Sequence, residues 1–186
     1  MALKYSNGMA VGTPAPDFSL PGIDGKTHTL ASYSDAAVLV VVFTCNHCPY
    51  AKACEARLIA IQKDYLDKGV RLLAINPNNA QAYPDDSFEN MQTRATEKGF
   101  NFPYLHDESQ TVARAYDAAC TPDIFVFDAA RKLTYNGRID DNWQDESKVT
   151  RRDLRAALDA TLAKQAMPFE VVASMGCSIK WKTPLA

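Results

Sequence analysis

The sequence has no strong excess of charge of either sign, and this argues against polyanionic partners. Its 20 lysine and arginine residues nearly balance 22 aspartate and glutamate residues, for a formal net charge of −2. No basic block stands out, so we expect neither a nucleic acid partner nor an anionic membrane surface. The N-terminus lacks the apolar core of a secretion signal. The longest apolar run, residues 36–43, is too short to cross a bilayer. We therefore expect a cytoplasmic protein.

Cysteine is scarce, and the number of cysteines is odd, with five in 186 residues. A reducing cytosol keeps thiols free, so a set of structural disulfides is not expected. An odd number also leaves at least one thiol unpaired within a monomer. Catalytic, metal-binding or buried thiols are the interpretations that remain. No resident cofactor or metal is expected, and the sequence predicts nothing about the oligomeric state.

The composition, 47% hydrophobic and 23% charged, predicts one folded domain that spans residues 1–186. Prolines and glycines in residues 9–35 indicate an irregular N-terminal extension, with a short hairpin near Asp24 and Gly25. Residues 165–186 follow the last predicted helix, and we expect this C-terminal tail to pack on the domain.

Strands and helices alternate through the central part of the chain. Residues 37–43 are continuously apolar and largely β-branched, which indicates a strand buried on both faces. Apolar residues at three- and four-residue spacing over 51–65 predict a helix that Gly69 ends. Residues 70–75 predict a second strand, which a right-handed crossover makes parallel to the first.

The next predicted element is a helix that Asp85, Asp86 or Ser87 caps and that runs toward Lys98. It is followed by a short helix over 109–118, a hairpin formed by 124–127 and 133–135, and a last helix ending near Lys164. This order favours an α/β fold with a mixed central sheet and helices on both faces.

Two cysteines stand where the first strand gives way to the first helix. Residues 45–49 read Cys-Asn-His-Cys-Pro. Free backbone N–H groups and the helix dipole favour a thiolate at that position. Side chains three residues apart in a first turn also lie on one face, close enough to form a disulfide. We expect Cys45 to be an exposed nucleophile and Cys48 to be the resolving thiol. His47 would stabilise a thiolate or relay a proton.

Short motifs over nearly the whole chain carry a family resemblance. They are Pro-Ala-Pro-Asp-Phe at 14–18, Cys-Asn-His-Cys-Pro-Tyr at 45–50, Tyr-Pro-Asp-Asp-Ser at 83–87, Phe-Pro-Tyr-Leu at 102–105, Thr-Pro-Asp at 121–123, Arg-Ile-Asp-Asp at 138–141 and Gly-Cys-Ser-Ile-Lys-Trp at 176–181. The chain resembles the redoxin (AhpC/TSA-like) branch of the thioredoxin superfamily, and more narrowly a group of peroxiredoxin-like proteins. The resemblance implies a thioredoxin-like fold in which Pro122 forms a cis peptide facing the dithiol.

The sequence also departs from better-known members of that superfamily. Thr44 stands where thioredoxins usually carry tryptophan. Peroxiredoxins place a threonine three residues before the peroxide-attacking cysteine and a proline seven residues before it. Counting back from either Cys45 or Cys48 reaches neither residue. Peroxidase activity therefore lacks support from these positions.

The other cysteines allow either a structural or a functional interpretation. Cys54 lies on the apolar stripe of the first predicted helix, where a cysteine is usually a small buried hydrophobe. Cys177 lies in the tail before Ile179 and Trp181. It is either incidental to tail docking or a third redox thiol that exchanges disulfides with Cys45. Further positions that could line the site are Thr44, Asn46, Cys120 and Thr121.

These observations predict a thiol–disulfide oxidoreductase with four catalytic residues, Cys45, Cys48, His47 and Pro122. Its partners would be a protein or small-molecule disulfide and a thiol reductant. Two alternatives stay open. One is a thiol peroxidase, as the resemblance implies. The other is a copper- or zinc-binding protein of the same fold, because thiolate pairs suit copper(I).

Overall fold

The computed structural model describes residues 3–182. Its strands are β1 (Leu3–Tyr5), β2 (Ser19–Pro21), β3 (Thr27–Thr29), β4 (Val38–Phe43), β5 (Val70–Asn76), β6 (Tyr104–His106), β7 (Cys120–Thr121), β8 (Asp123–Phe127), β9 (Leu133–Asn136) and β10 (Met175–Ser178). Its α-helices are α1 (Pro49–Tyr65), α2 (Phe88–Lys98), α3 (Thr111–Ala115) and α4 (Asp153–Leu162). Short 3-10 helices cover Leu30–Tyr33, Leu66–Lys68, Pro84–Asp86 and Glu146–Lys148. Along these residues, no helix has the length and apolar character needed to cross a membrane.

The central sheet has five strands in the order β6-β5-β4-β8-β9. β4 pairs with β5 in parallel and with β8 antiparallel. β6 joins β5 in parallel, and β9 forms the antiparallel hairpin with β8. The predicted mixed sheet is therefore confirmed, as is the short β2–β3 hairpin in the N-terminal extension.

The side chains of β4 alternate between two hydrophobic layers, because successive strand residues point to opposite faces. Val38, Val40 and Val42 pack with apolar residues of α1, α2 and α4. Leu39, Val41 and Phe43 pack with α3 and with the N-terminal extension. Helices thus cover both faces, as predicted, and every residue of β4 is buried.

The helix boundaries follow local backbone chemistry. α1 begins at Pro49, directly after Cys48 at the N-cap, and Gly69 closes the following turn at φ 81°, a conformation that glycine tolerates. α3 is shorter than the helix predicted over 109–118. Gln110 and Asp117, at φ 63° and 51°, adopt left-handed backbone conformations that interrupt it at both ends.

A second sheet, in the order β1-β10-β7, joins the two ends of the described chain. Gly176 of β10 allows this close pairing, since a Cβ atom there would lie 2.0 Å from the carbonyl oxygen of Thr121. Beyond β10, Ile179 is buried and Trp181 packs against the core. Residues 183–186 of the predicted tail lie outside the described residues.

Candidate active site

The sulfur-bearing residues at the start of α1 form a closed cluster. Cys45 follows β4, and Cys48 caps α1, so the strand-to-helix turn brings both to the carboxyl end of β4. Cys45, Cys48 and Cys177 pack with Ala51 and Tyr50, and their exposed fractions are 1%, 0% and 3%. The prediction that Cys45 is exposed is therefore wrong, because this cluster encloses it. None of the five cysteines, all of which lie within residues 3–182, forms a disulfide.

Thr121 contacts both members of the predicted dithiol. Its Oγ1 atom lies 3.2 Å from Cys45 Sγ, and its carbonyl oxygen lies 3.1 Å from Cys48 Sγ. The peptide bond between Thr121 and Pro122 is cis. The residues of β7 and Pro122 thus reach the dithiol from a distant part of the sequence.

The predicted third thiol also reaches this cluster. β10 sets Cys177 in register with Thr121. A hydrogen bond links the thiols of Cys177 and Cys48. The expected exchange partner of Cys177 was Cys45, whereas the contact that forms is with Cys48.

The two thiols of the dithiol have opposite acidities. A hydrogen bond from Cys45 lowers the pKa of Cys48 to about 4; burial opposes this, and hydrogen bonds from Cys177 and the Ala51 backbone N–H assist it. The pKa of Cys45 lies well above its ordinary value because of its hydrogen bond to Cys48, its burial and the negative charge of Asp86. At neutral pH the pair therefore holds one thiolate and one thiol.

His47 sits in a fixed orientation beside this pair. Its Nδ1 atom lies 2.5 Å from Asp86 Oδ2, and its ring stacks on Tyr83 at 5.1 Å between centroids and 11° between planes. Its Nε2 atom is buried and has no hydrogen-bond partner among the described residues. A nitrogen of this ring, a carboxylate oxygen of Asp86 and Cys45 Sγ lie within 4.8 Å of one another.

Asp86 is a fully buried carboxylate that accepts four hydrogen bonds. Oδ1 accepts from the Asn46 backbone N–H at 2.6 Å and from Asn76 at 3.2 Å. Oδ2 accepts from His47 and, at 2.9 Å, from the Asn78 side chain. Burial raises the pKa of Asp86, but the hydrogen bonds from His47, Asn46 and Asn78 outweigh it and leave the pKa lowered.

The sequence predicted Asp86 only as one of three possible helix caps. Ser87 takes that role, because its side chain accepts a hydrogen bond from the Asn90 backbone N–H. The signal that could have identified this site is the pair Asn76 and Asn78, one at the end of the parallel strand β5 and one just after it. Sites in α/β folds collect at that edge of the sheet.

The remaining predicted lining residues take different places. The Asn46 side chain accepts from the Tyr104 hydroxyl at 3.0 Å. Thr44 is buried where β4 ends, and its N–H donates to Ile75. Cys120 Sγ faces the Pro122 carbonyl oxygen at 3.4 Å, and burial raises the pKa of its thiol strongly. Cys54 lies in the core among α1 residues, and burial raises the pKa of its thiol to about 12.

The arrangement of Cys45, His47 and Asp86 suits acid–base chemistry better than metal binding. A carboxylate has about four acceptor sites, and the hydrogen bonds to Asp86 use all of them. Asp86 therefore has no lone pair to give to a metal ion. The site holds instead a thiolate, a thiol and a histidine with one free nitrogen.

Comparisons with known proteins agree with this chemistry. A family model described as the AhpC/TSA family matches residues 11–136. The thiol-disulfide oxidoreductase ResA of Geobacillus thermodenitrificans (strain NG80-2) is 27% identical over 128 residues, which cover 67% of each chain. A crystal structure of an uncharacterised conserved protein from Geobacillus kaustophilus is 45% identical, with a TM-score of 0.94 and coverage of 100% of this chain and 99% of that one.

The fold itself is shared more widely. The thioredoxin domain of a thiol-disulfide oxidoreductase from Bacteroides vulgatus is 17% identical, covers 69% of this chain and 89% of that domain, and gives a TM-score of 0.60. The predicted thioredoxin-like fold is thus confirmed.

Proposed function

The chain belongs to the AhpC/TSA family, as its motifs predicted, and we propose that it is a thiol–disulfide oxidoreductase that works through Cys45 and Cys48. The observation that carries this proposal is the pair itself: Cys45 and Cys48 lie in one buried cluster, hydrogen-bond to each other and both contact Thr121. A thiolate is the nucleophile in disulfide exchange. The name of the curated relative, a thiol-disulfide oxidoreductase, supports the same reaction class.

The reaction has two exchange steps. In the first step, the sulfur of Cys45 attacks a substrate disulfide while His47 takes the proton of that thiol. A mixed disulfide forms, and the first substrate thiolate leaves and collects the proton from His47. In the second, the Cys48 thiolate attacks Cys45 Sγ, the Cys45–Cys48 disulfide closes and the second substrate thiolate leaves. The substrate gains two electrons, and the dithiol loses them.

Cys177 acts in this proposal as a third redox thiol. Its hydrogen bond to Cys48 puts its sulfur next to the resolving thiol, so exchange would run between these two residues. Thr121 contacts both members of the dithiol, and Pro122 follows it through the cis peptide bond. A thiol reductant returns the oxidised pair to the dithiol. The physiological disulfide, the reductant, the cytoplasmic location and the absence of nucleic acid and membrane partners stay predictions.

Replacement of one cysteine tests the proposal. We expect Cys45→Ala to abolish catalysed reduction of a protein disulfide such as that of insulin, because the attacking sulfur is gone. The matched control is Cys54→Ala, which removes a buried thiol from the same helix region outside the cluster. Insulin reduction followed by turbidity measures both variants. Undiminished activity of Cys45→Ala would refute the proposal.

One observation favours a thiol peroxidase as the second candidate. The sequence has no threonine three residues before either cysteine. Thr121, from a distant part of the chain, places its hydroxyl 3.2 Å from Cys45 Sγ instead. Attack of Cys45 on a peroxide would release an alkoxide or hydroxide and leave a sulfenic acid, and Cys48 would then displace water to close the disulfide. Peroxide consumption that is lost in both Cys45→Ala and Thr121→Val would support this activity.

A further inference from the structure

We propose that Asp86 is a positioning residue that fixes His47 in the tautomer able to take the proton of Cys45. This inference rests on the proposed function, because it explains how the attacking thiol loses its proton. Asp86 contacts His47 and does not itself carry the proton. Its place in the sequence, 39 residues after His47, hid this role.

The hydrogen bonds of Asp86 determine which nitrogen of His47 is protonated. Among the described residues, each hydrogen-bond partner of the Asp86 carboxylate is a donor. These partners are the Asn46 backbone N–H, the Asn76 and Asn78 side-chain amides and His47. An ionised carboxylate is the form that such a ring of donors stabilises. Nδ1 of His47 must then carry the proton of the 2.5 Å contact, and in the neutral ring the lone pair lies on Nε2.

The free nitrogen has no partner among the protein's own groups. Nε2 is buried, and no side chain or backbone group of residues 3–182 forms a hydrogen bond with it. The stack on Tyr83 and the bond to Asp86 fix the ring from two sides. Lys180, from the segment after β10, lies 5.7 Å from the centroid of the Tyr83 ring. Nε2 is therefore a proton acceptor in a fixed ring, without a hydrogen-bond donor among the described residues.

The attacking thiol needs such a base. Asp86, His47 and Cys45 approach within 4.8 Å at their polar atoms. Both the Cys48 thiolate and the Asp86 carboxylate disfavour a second negative charge on Cys45. The other titratable groups that feel the charge of Asp86 are Tyr104 and His106, from β6. His106 Nε2 is also buried without a partner, but within the cluster of Cys45, His47 and Asp86 the unpartnered nitrogen belongs to His47.

The proton is conserved through the step. It leaves Cys45 Sγ for His47 Nε2 as the Cys45–substrate bond forms and the substrate S–S bond breaks. The transient imidazolium is stabilised by Asp86, and it returns the proton to the departing substrate thiolate. His47 and Asp86 end the step as they began it, and no external oxidant is required beyond the substrate disulfide.

The test is a double-mutant cycle in the full-length protein, read as the pH dependence of kcat/KM for a small disulfide, dithiobis(2-nitrobenzoate). We expect Asp86→Asn to lower the rate about tenfold to a hundredfold, the usual loss when a partner that orients a histidine is removed. In a His47→Gln background the same change should cost less than about twofold, because Asp86 acts through His47. Asp85→Asn, an exposed carboxyl one position earlier, is the matched control and should leave the pH profile unchanged.

Equal losses from Asp86→Asn in both backgrounds, or an unchanged pH profile, would overturn the proposal in favour of a merely structural role. A measurement on the wild-type protein avoids the risk that Asp86→Asn does not fold. Nitrogen-15 NMR of reduced protein should find the proton of the neutral His47 ring on Nδ1. The opposite tautomer would overturn the inference even if the Cys45 and Cys48 pair proves active, and an inactive pair with the expected tautomer would overturn only the proposed function.

Discussion

In the proposed function, two sulfurs that share a proton set the chemistry of this site at the scale of single residues. Cys48 carries the negative charge because it accepts hydrogen bonds at a helix N-terminus, and Cys45 keeps its proton because a second charge would face both Cys48 and Asp86. The reduced protein therefore gains stability from the lowered pKa of Cys48. That contribution is complete above the ordinary thiol pKa of 9.0 and disappears as the pH falls through about 4.

The pH dependence of the reduction potential follows from this sharing. Between pH 4 and pH 9, reduction should take up one proton with two electrons, because Cys48 stays ionised. The potential should then change by about 30 mV per pH unit, and by about 59 mV per unit below pH 4. Equilibration with a glutathione or dithiothreitol buffer at several pH values measures these slopes. A slope near 59 mV per unit throughout the range would contradict the acidity assigned to Cys48.

The residues around the dithiol were partly predictable. Cys45, His47 and Cys48 are neighbours in sequence, so their spacing and their place between a strand and a helix indicated the site. Asp86 was not identifiable in this way. An aspartate before a helix is most often a cap, and its contacts with His47 and the asparagines depend on how β5 and the following turn pack.

At the scale of elements, β10 controls access to the thiols. It pairs with β7, covers the cluster with Cys177 and leaves the dithiol almost without exposed surface. We expect a protein disulfide to reach Cys45 when this strand moves away. The short strands that hold it, two residues in β7 and three in β1, make such movement inexpensive.

Gly176→Ala tests the role of this strand. The added Cβ would collide with the Thr121 carbonyl, so we expect β10 to separate from β7 at a cost of roughly 1–3 kcal/mol in the free energy of unfolding. Cys45 and Cys177 should then react faster with iodoacetamide, as mass spectrometry of the alkylated peptides would detect. Ser178→Ala, on the same strand, is the control. If the alkylation rates of Gly176→Ala match those of the wild-type protein, β10 does not close the site.

The sequence predicted elements whose own pattern is strong and missed those that depend on distant partners. β4, α1 and the β8–β9 hairpin carry continuous or periodic apolar residues. β1, β7 and β10 have two to four residues each, too few to show a period, and each is a strand only because another part of the chain lies beside it.

At the scale of the whole molecule, the dithiol lies where the central sheet and the small sheet meet. A buried ion pair fixes α1 beside this junction. Arg57 of α1 contacts Asp140 and donates to the backbone of Asn142 and Trp143. The pair stabilises the scaffold that holds the thiols.

Removing one member of that pair separates stability from redox chemistry. We expect Asp140→Ala to lower the free energy of unfolding by about 3–5 kcal/mol, since an unpaired guanidinium would remain buried. The reduction potential should stay unchanged below the unfolding transition. Denaturant unfolding and redox equilibration of the same sample measure the two quantities. A shifted potential with little loss of stability would mean that Asp140 influences the thiols directly.

The measurement that tests the account most directly is a redox titration of the wild-type protein followed by alkylation and peptide mapping. We predict that Cys45 and Cys48 become unreactive together, in one reversible two-electron transition, and that the mapped product contains a Cys45–Cys48 disulfide. If both thiols remain free across the titration, or if each forms a separate adduct with the buffer thiol, the dithiol is not the working group of this protein.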